Sequence, residues 1–470
     1  MAYITGNREQ RVLLPSCIDE YIAPDDPVRA YDAVVEQMDL TALGIATEPD
    51  RVGAPAFDPR AMLKLLVYGY SYGIRSSRQL ERATYHNLSF IWLLGGLTPD
   101  HKTIARFRRD HRAALAHVLK QCAQVCLRLG VIAGNTLFVD GTKIRANASM
   151  KQTWTAKRCQ EMLQEVEDRI ATILATCDAT DAHEATHPSA IQMPPALAQQ
   201  RQLRHQVQTI LQELAHADTT ALNTTDRDAG RMRMGGQVDM GYNCQSVVDD
   251  QHGLIVHTAV VNASNDVGQF STPLREAQET LGKPCTTACA DMGYCSPDDL
   301  QKSLVQGVDV IVPILRHSDF RDQFVYDATH DVYRCPEGHV LRYVGDHQRN
   351  KYRAYQADAT QCQRCPQFGH CTTSPYGRRI ARPFTEPIRE RLEHRYRQPD
   401  APVLMRRRKL RAEPPFGHIK HNLGMRMFVL RGQRGAAAEM ALAATAFNIR
   451  RLVTLVGVAG LMQQLGHTSL

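Results

Sequence analysis

Three acidic residues stand where phosphodiester chemistry would need them. Asp140 closes the apolar run LFVD and is followed at once by Gly141 and the polar, basic stretch TKIRANAS. Asp291 follows TACA in ACADMGYCS, again after an apolar run and before a glycine. Such runs read as strands buried in a sheet, where a carboxylate is costly unless it is paired or holds a metal. Both acids are expected at the C-terminal ends of their strands, the edge at which α/β sheets bind ligands. Two carboxylates brought together repel unless a cation lies between them, and hard Mg²⁺ prefers oxygen ligands. A pair of such ions roughly 3.5–4 Å apart can clamp the attacking and leaving oxygens of a phosphodiester. Glu413, in RRRKLRAEPPFGHIK, is the third acid that would complete the site, on a helix whose cations would meet phosphates. Against this stand blander readings: two strand-end aspartates capping turns, and a surface glutamate in a salt-bridged basic helix.

A second constellation is made of thiols. Cys335, Cys362, Cys365 and Cys371 run C-x26-C-x2-C-x5-C, and the pair in CQRCP has the spacing that lets two thiolates reach one zinc. His339, in YRCPEGHVL, and His370, next to Cys371, are spare ligands. The expectation is a structural Zn²⁺ that folds a small module without a core of its own; the alternative is a reduced, metal-free loop. The chain has 13 cysteines, an odd number, and its charged N-terminus (MAYITGNREQ) lacks the apolar core of an export signal. Disulfides are therefore a poor explanation.

These residues need elements to position them. Residues 1–130 read as all-helical: AMLKLLVYGYSYGI and SSRQLERATYHNLSFIWLLGG carry apolar residues at helical spacing. In TPDHKTIARFRRDHR, Thr98 is the expected N-cap and Pro99 the first helical residue of a basic helix. A short helix, a glycine turn and this helix suggest a helix-turn-helix, or equally a bundle with a basic face. From about Gly134 the pattern changes to strand. Residues 150–217 read as a helical hairpin inserted in the α/β domain, with a loop over Asp178–Ser189. YNCQSVVDD and LIVHTAVV, separated by QHG, form a β-hairpin. TPLREAQETLG, TTACADMGY, SPDDLQKSLVQG and VDVIVPIL then alternate helix and strand. The order fits an α/β fold built on a mixed sheet. The boundaries that follow are 1–130 helical, 131–320 the first part of the α/β domain, 321–375 the Cys-rich insertion and 376–455 the C-terminal basic helices with Glu413.

Composition is that of an ordinary globular chain, with 43% hydrophobic and 22% charged residues among 470. No run of eighteen apolar residues appears, so no membrane span is expected and the chain should be cytoplasmic. The net charge of +7 is modest, but the region from Arg378 to Arg434 is visibly rich in arginine.

The motifs together resemble the DDE-type transposases of bacterial insertion sequences. VDGTKIRANAS matches the motif of the first Asp and ADMGY that of the second, where ADKGY is usual. EPPFGHIK matches that of the Glu, with Lys420 seven residues on. GYNCQSVVD and MRMFVLRG match the stretches between and after. The resemblance runs from about Phe57 to Asn448. It implies an RNase H-like catalytic domain in which Asp140, Asp291 and Glu413 hold two Mg²⁺ or Mn²⁺ ions. It also implies a Cys-rich insertion before the Glu, double-stranded DNA (terminal inverted repeats and target) as partner, a homodimer in the synaptic complex, and a place on the bacterial nucleoid. Arg408, Lys409, Lys420, Arg426 and Arg431 would hold phosphates near the site, and the N-terminal helices, with Lys102 and Arg106, would bind the repeats. Two departures stand out: Met405 replaces a tyrosine usual in this motif, and tandem Pro414-Pro415 threatens the start of the helix. They leave room for an inactive or repurposed DNA-binding derivative, or for a nuclease that cuts without joining.

Overall fold

The computed structural model describes residues 17–46, 56–184, 195–216, 220–314 and 323–466, with only the backbone of 179–184. Seven helices open it: α1 (Pro27–Glu36), α2 (Pro59–Ser71), α3 (Ser77–His86), α4 (Leu88–Leu93), α5 (His101–Asp110), α6 (Arg112–Ala116) and α7 (Val118–Arg128). Asp26 and Asp58 cap α1 and α2, each accepting a backbone N–H at 2.9 Å, with a proline in the first helical position. The helical stretch SSRQLERATYHNLSFIWLLGG divides at Asn87, whose side chain caps α4. The basic helix also starts later than expected. Its cap is Asp100, which accepts from Thr103 N at 2.6 Å, and Thr98 and Pro99 lie ahead of the helix.

The main sheet is built on β1 (Thr136–Arg145). Between β1 and the next strands of this sheet comes an insertion: β2 (Thr153–Trp154), α8 (Ala156–Glu184), α9 (Pro195–His216) and β3 (Leu222–Asn223). α8 and α9 pair around a small core of Cys159, Val207, Ile210, Leu214 and Leu222. The expected loop over Asp178–Ser189 is helical as far as Glu184, and its remainder lies outside the described residues. The sheet continues with β4 (Gly230–Met234), β5 (Gln237–Asp249) and β6 (Ile255–Val261). Then come α10 (Ser271–Leu281), β7 (Thr287–Cys289), α11 (Pro297–Val305) and β8 (Asp309–Ile311). Its order is β4-β5-β1-β7-β8, with β6 also on β5. β1 is antiparallel to β5 along its length and parallel to β7, and β7 is parallel to β8. The β4–β5 hairpin was not foreseen. It turns through Gly235 and Gly236, both at positive φ (55° and 89°), which favours glycine.

The Cys-rich stretch is no bare loop. It forms a second, five-stranded antiparallel sheet from β9 (Val325–Asp327), β10 (Val332–Arg334), β11 (Val340–His347), β12 (Tyr352–Ala357) and β13 (Arg379–Pro383), with α12 (Ala359–Gln363) after β12. Phe324, Tyr333, Leu341, Tyr355, Ala357, Cys362 and Ile380 make its core. The chain returns through α13 (Glu386–Tyr396) and α14 (Ala401–Gly417) and ends in α15 (Gln433–Val456) and α16 (Val458–Gln464). α15 is buried on nearly all sides, as its alanine-rich sequence allows. The main core runs unbroken from Ile22 to Leu461, so the N-terminal helices and the main sheet share it through α15. Glu439 on α15 is fully buried and accepts from Val429 N and Leu430 N at 2.9–3.1 Å, with Arg75 at 3.7 Å. Among the described residues no single helix is long and apolar enough to cross a membrane.

Candidate active site

Register places the first two acids. The parallel ladder between β1 and β7 ends at the pair Phe138↔Cys289. Asp140 and Asp291 each follow two residues later, so alternation sends both side chains the same way at the same level. Asp140 does not end its strand as expected, because pairing with β5 carries β1 on to Arg145. It lies beyond the β7 ladder, and this opens the space beside it.

Across that space comes Arg408 from α14. One guanidinium nitrogen, Nη2, lies 2.8 Å from Asp140 Oδ1 and 3.4 Å from Asp291 Oδ2. Arg408 is only 5% exposed and Asp140 7%, whereas Asp291 is half open to solvent. Burial pushes the Asp140 carboxyl up to about 6, against the pull of Arg408 and the Gly141 N–H; the charges of Asp291 and Glu413 push it further. Asp140 is thus an anion short of positive charge, and its oxygen donors suit a hard cation. Glu413 is exposed on the same helix as Arg408. Among the described residues, no three His, Cys, Asp or Glu side chains are gathered as a metal cluster. Two of the three acids therefore meet, joined by an arginine; the third, exposed on α14, is near enough for its charge to act on Asp140 but closes no three-acid cluster.

The tandem proline acts differently from the expectation. Pro414 and Pro415 lie inside α14 rather than disturbing its start, and a π-helical turn follows at His418–Asn422. Proline lacks the N–H that would close the α-helical ladder, and such π turns are frequent at functional sites. Lys420 sits on this turn with Nζ 2.5 Å from Thr142 Oγ1. A cleft of about 330 Å³ opens there, lined by Gly141, Lys143, Arg233, Asn243, Asp266 and Lys420.

Cys335, Cys362, Cys365 and Cys371 line one cavity with His339, whereas the neighbouring His370 is exposed. The backbone N–H of His339 donates to Cys335 Sγ (3.2 Å) and that of Arg378 to Cys362 Sγ (3.4 Å). Burial, then the three other thiols, push the Cys371 thiol up, with Arg378 opposing.

Residues 16–110 match the family model of a transposase domain (DUF772), and residues 334–453 match that of a transposase DDE domain. The chain belongs to the DDE transposases of insertion sequences. No curated protein and no solved structure matches it. The transposase is an enzyme of DNA transposition, and its partner is DNA. The second match includes Glu413 and Lys420; Asp140 and Asp291 fall between the two.

The cations of the transposase divide. Lys409, Arg426 and Arg431 are exposed, as are Lys102 and Arg106 on α5. Arg408, expected on phosphate, is instead spent on Asp140 and Asp291. Sequence reasoning also missed a polar network around Gly141 formed by Asp266, Asn243, Gln245 and Tyr294. A Cβ on Gly141 would lie within 2.6–2.9 Å of Asp266, Tyr294 and Gln245 atoms. The signal available was a glycine directly after the acid.

The raised Asp140 carboxyl gives a pH dependence to the divalent-free protein. Its folded value of about 6 exceeds the unfolded value, so between pH 4 and 6 the folded state binds more protons and stability falls as pH rises. The loss totals roughly 3 kcal/mol. In denaturant melts with chelator, Asp140→Asn should lack that part of the slope; an unchanged slope would remove Asp140 as its source. Arg408, Asp291 and Glu413 are the charged groups acting on it.

Proposed function

We propose that Asp140, Asp291 and Glu413 are the catalytic carboxylates of an RNase H-like domain and hold two Mg²⁺ or Mn²⁺ ions. The observation that carries this is the single Arg408 nitrogen within reach of both aspartates, where β1 and the end of β7 present paired anions to a cation. Bound divalent ions supply Lewis acidity at the phosphodiester and lower the pKa of water. Within the protein, Arg408 holds the two aspartates in place and offsets their charge. Asp140, Asp291 and Glu413 would supply the oxygen ligands of such ions. Lys420, fixed by Thr142 at the cleft, is placed to hold a phosphate, with Lys409, Arg426 and Arg431 along the flank. Residues 1–130, through Lys102 and Arg106, bind the terminal inverted repeats, and two copies pair the ends on the nucleoid. The test is to incubate the protein with DNA carrying its gene's own flanks and Mg²⁺ or Mn²⁺, then map new 3′-hydroxyl ends. Discrete ends joined to target DNA support the reading. Binding without cutting under either metal would favour a decayed DNA-binding copy.

The 321–375 insertion we read as a zinc module. Four thiols lining one cavity, two of them accepting backbone N–H bonds, and the two-residue spacing of Cys362 and Cys365 support this. Protein purified without chelator should carry stoichiometric zinc by elemental analysis, and Cys365→Ser should lose it. Zinc-free wild-type protein would contradict the module.

A further inference from the structure

We infer that Asp266, in the loop between β6 and α10, is a positioning residue that locks the segments carrying Asp140 and Asp291 to each other. The inference rests on the catalytic reading of those two acids and adds a residue to it.

Asp266 Oδ1 accepts from Asn243 Nδ2 and Gln245 Nε2, both at 2.8 Å. Gln245 Oε1 in turn accepts from the Tyr294 hydroxyl. Asn243 and Gln245 stand on β5 directly opposite Lys143 and Gly141 of β1, and Tyr294 ends the short turn that begins at Asp291. Two carboxamides of β5 thus meet on one carboxylate oxygen, and Gln245 passes the contact on to Tyr294. These contacts lie in the hole left by Gly141, where an added Cβ would lie 2.6 Å from Asp266 Oδ1 and 2.8 Å from the Tyr294 hydroxyl. Successive residues of a strand face opposite sides, so the network braces β1 from behind the Asp140 carboxylate. Asp266 and Asp291 also flank the same glycine. A Cβ on Gly293 would lie 3.0 Å from Asp291 Oδ1 and 3.5 Å from Asp266 Oδ2.

A bland account is that Asp266 merely satisfies two buried carboxamides. Yet Asn243, Gln245 and Tyr294 are at most 1% exposed, in a sheet that apolar side chains would fill without needing partners. Among the described residues Asp266 makes no ion pair within 4 Å, although Lys143, Arg233 and Lys420 line the same cleft. A network of this cost directly beneath paired acids fits the orientation of ligands by their hydrogen-bonded supports, whose loss typically costs about 10–100-fold in metal affinity or activity.

The test compares Asp266→Asn, which keeps the Oδ1 acceptor, with Asp266→Ala, which does not. Full-length protein, a duplex carrying the gene's own flank, and Mn²⁺ are used. Asp266→Ala should cut about 10–100-fold more slowly, with duplex binding unchanged and its Mn²⁺ dissociation constant raised about tenfold. Asp266→Asn should stay within about threefold of wild type in both readouts, since the acceptor survives. If Asp266→Ala fails to fold, Gln245→Leu should give the same split between DNA and Mn²⁺ binding. Wild-type cutting and Mn²⁺ affinity by Asp266→Ala would overturn the inference, and so would equal damage by Asp266→Asn. Asp291→Asn run alongside separates the two readings. Full cutting by that variant removes the catalytic assignment, whereas its inactivity beside a fully active Asp266→Ala removes only the role of Asp266.

Discussion

Asp291→Asn should bind element-end DNA as tightly as wild type and yield no new 3′-hydroxyl ends, a loss of at least about a thousandfold, or some 4 kcal/mol of barrier. The substitution is mild for the fold. Asp291 is half exposed, and its Oδ1 accepts from Gly293 N at 2.8 Å, a role that an asparagine oxygen can keep. What is lost is charge. An amide neither balances a divalent ion nor binds it as a carboxylate does, and positioned positive charge carries most of the barrier lowering in phosphodiester transfer. Circular dichroism and gel-shift titration of the same preparation would show fold and binding intact. Residual cutting within tenfold of wild type would mean that Asp291 is no metal ligand.

The second large effect concerns Arg408. It is 5% exposed and touches both Asp140 and Asp291. Arg408→Ala should destabilise the divalent-free protein by about 3–5 kcal/mol, the usual cost of leaving a buried partner charge uncompensated. The burial that already raises Asp140 would then act without its main opposing charge. Saturating Mg²⁺ should recover much of the loss by returning a cation to the same oxygens, and it should raise the melting temperature of this variant more than that of wild type. Denaturant melts with chelator and with Mg²⁺ measure both terms. A variant whose stability is insensitive to Mg²⁺ would contradict a shared cation site.

Much of this was legible in the sequence, for identifiable reasons. An apolar run ending in an acid and followed by glycine announces an unusual strand, and both Asp140 and Asp291 carry that mark. Their meeting depends on the Phe138↔Cys289 register, which crossover connections set and local sequence does not encode. The thiols were visible by spacing, but the sheet around them was not, because β9 and β10 are only three residues long and their polar alternation is weak. Arg408 looked like any cation in RRRK; which of four neighbours turns inward is decided by how α14 packs, and only that packing distinguishes it from exposed Lys409. Asp266 carried no periodic signal, being a loop acid far in sequence from Gly141, Gln245 and Tyr294.

Glu413 bears most directly on the central claim, because it is exposed and does not close a cluster with the two aspartates that it is proposed to join. Mn²⁺ bound to the complex of transposase with end DNA can be counted by electron paramagnetic resonance in wild type and in Glu413→Gln. The account predicts that Glu413→Gln keeps the DNA, loses bound Mn²⁺ and makes no 3′-hydroxyl ends. Wild-type Mn²⁺ occupancy together with wild-type cutting in Glu413→Gln would contradict it.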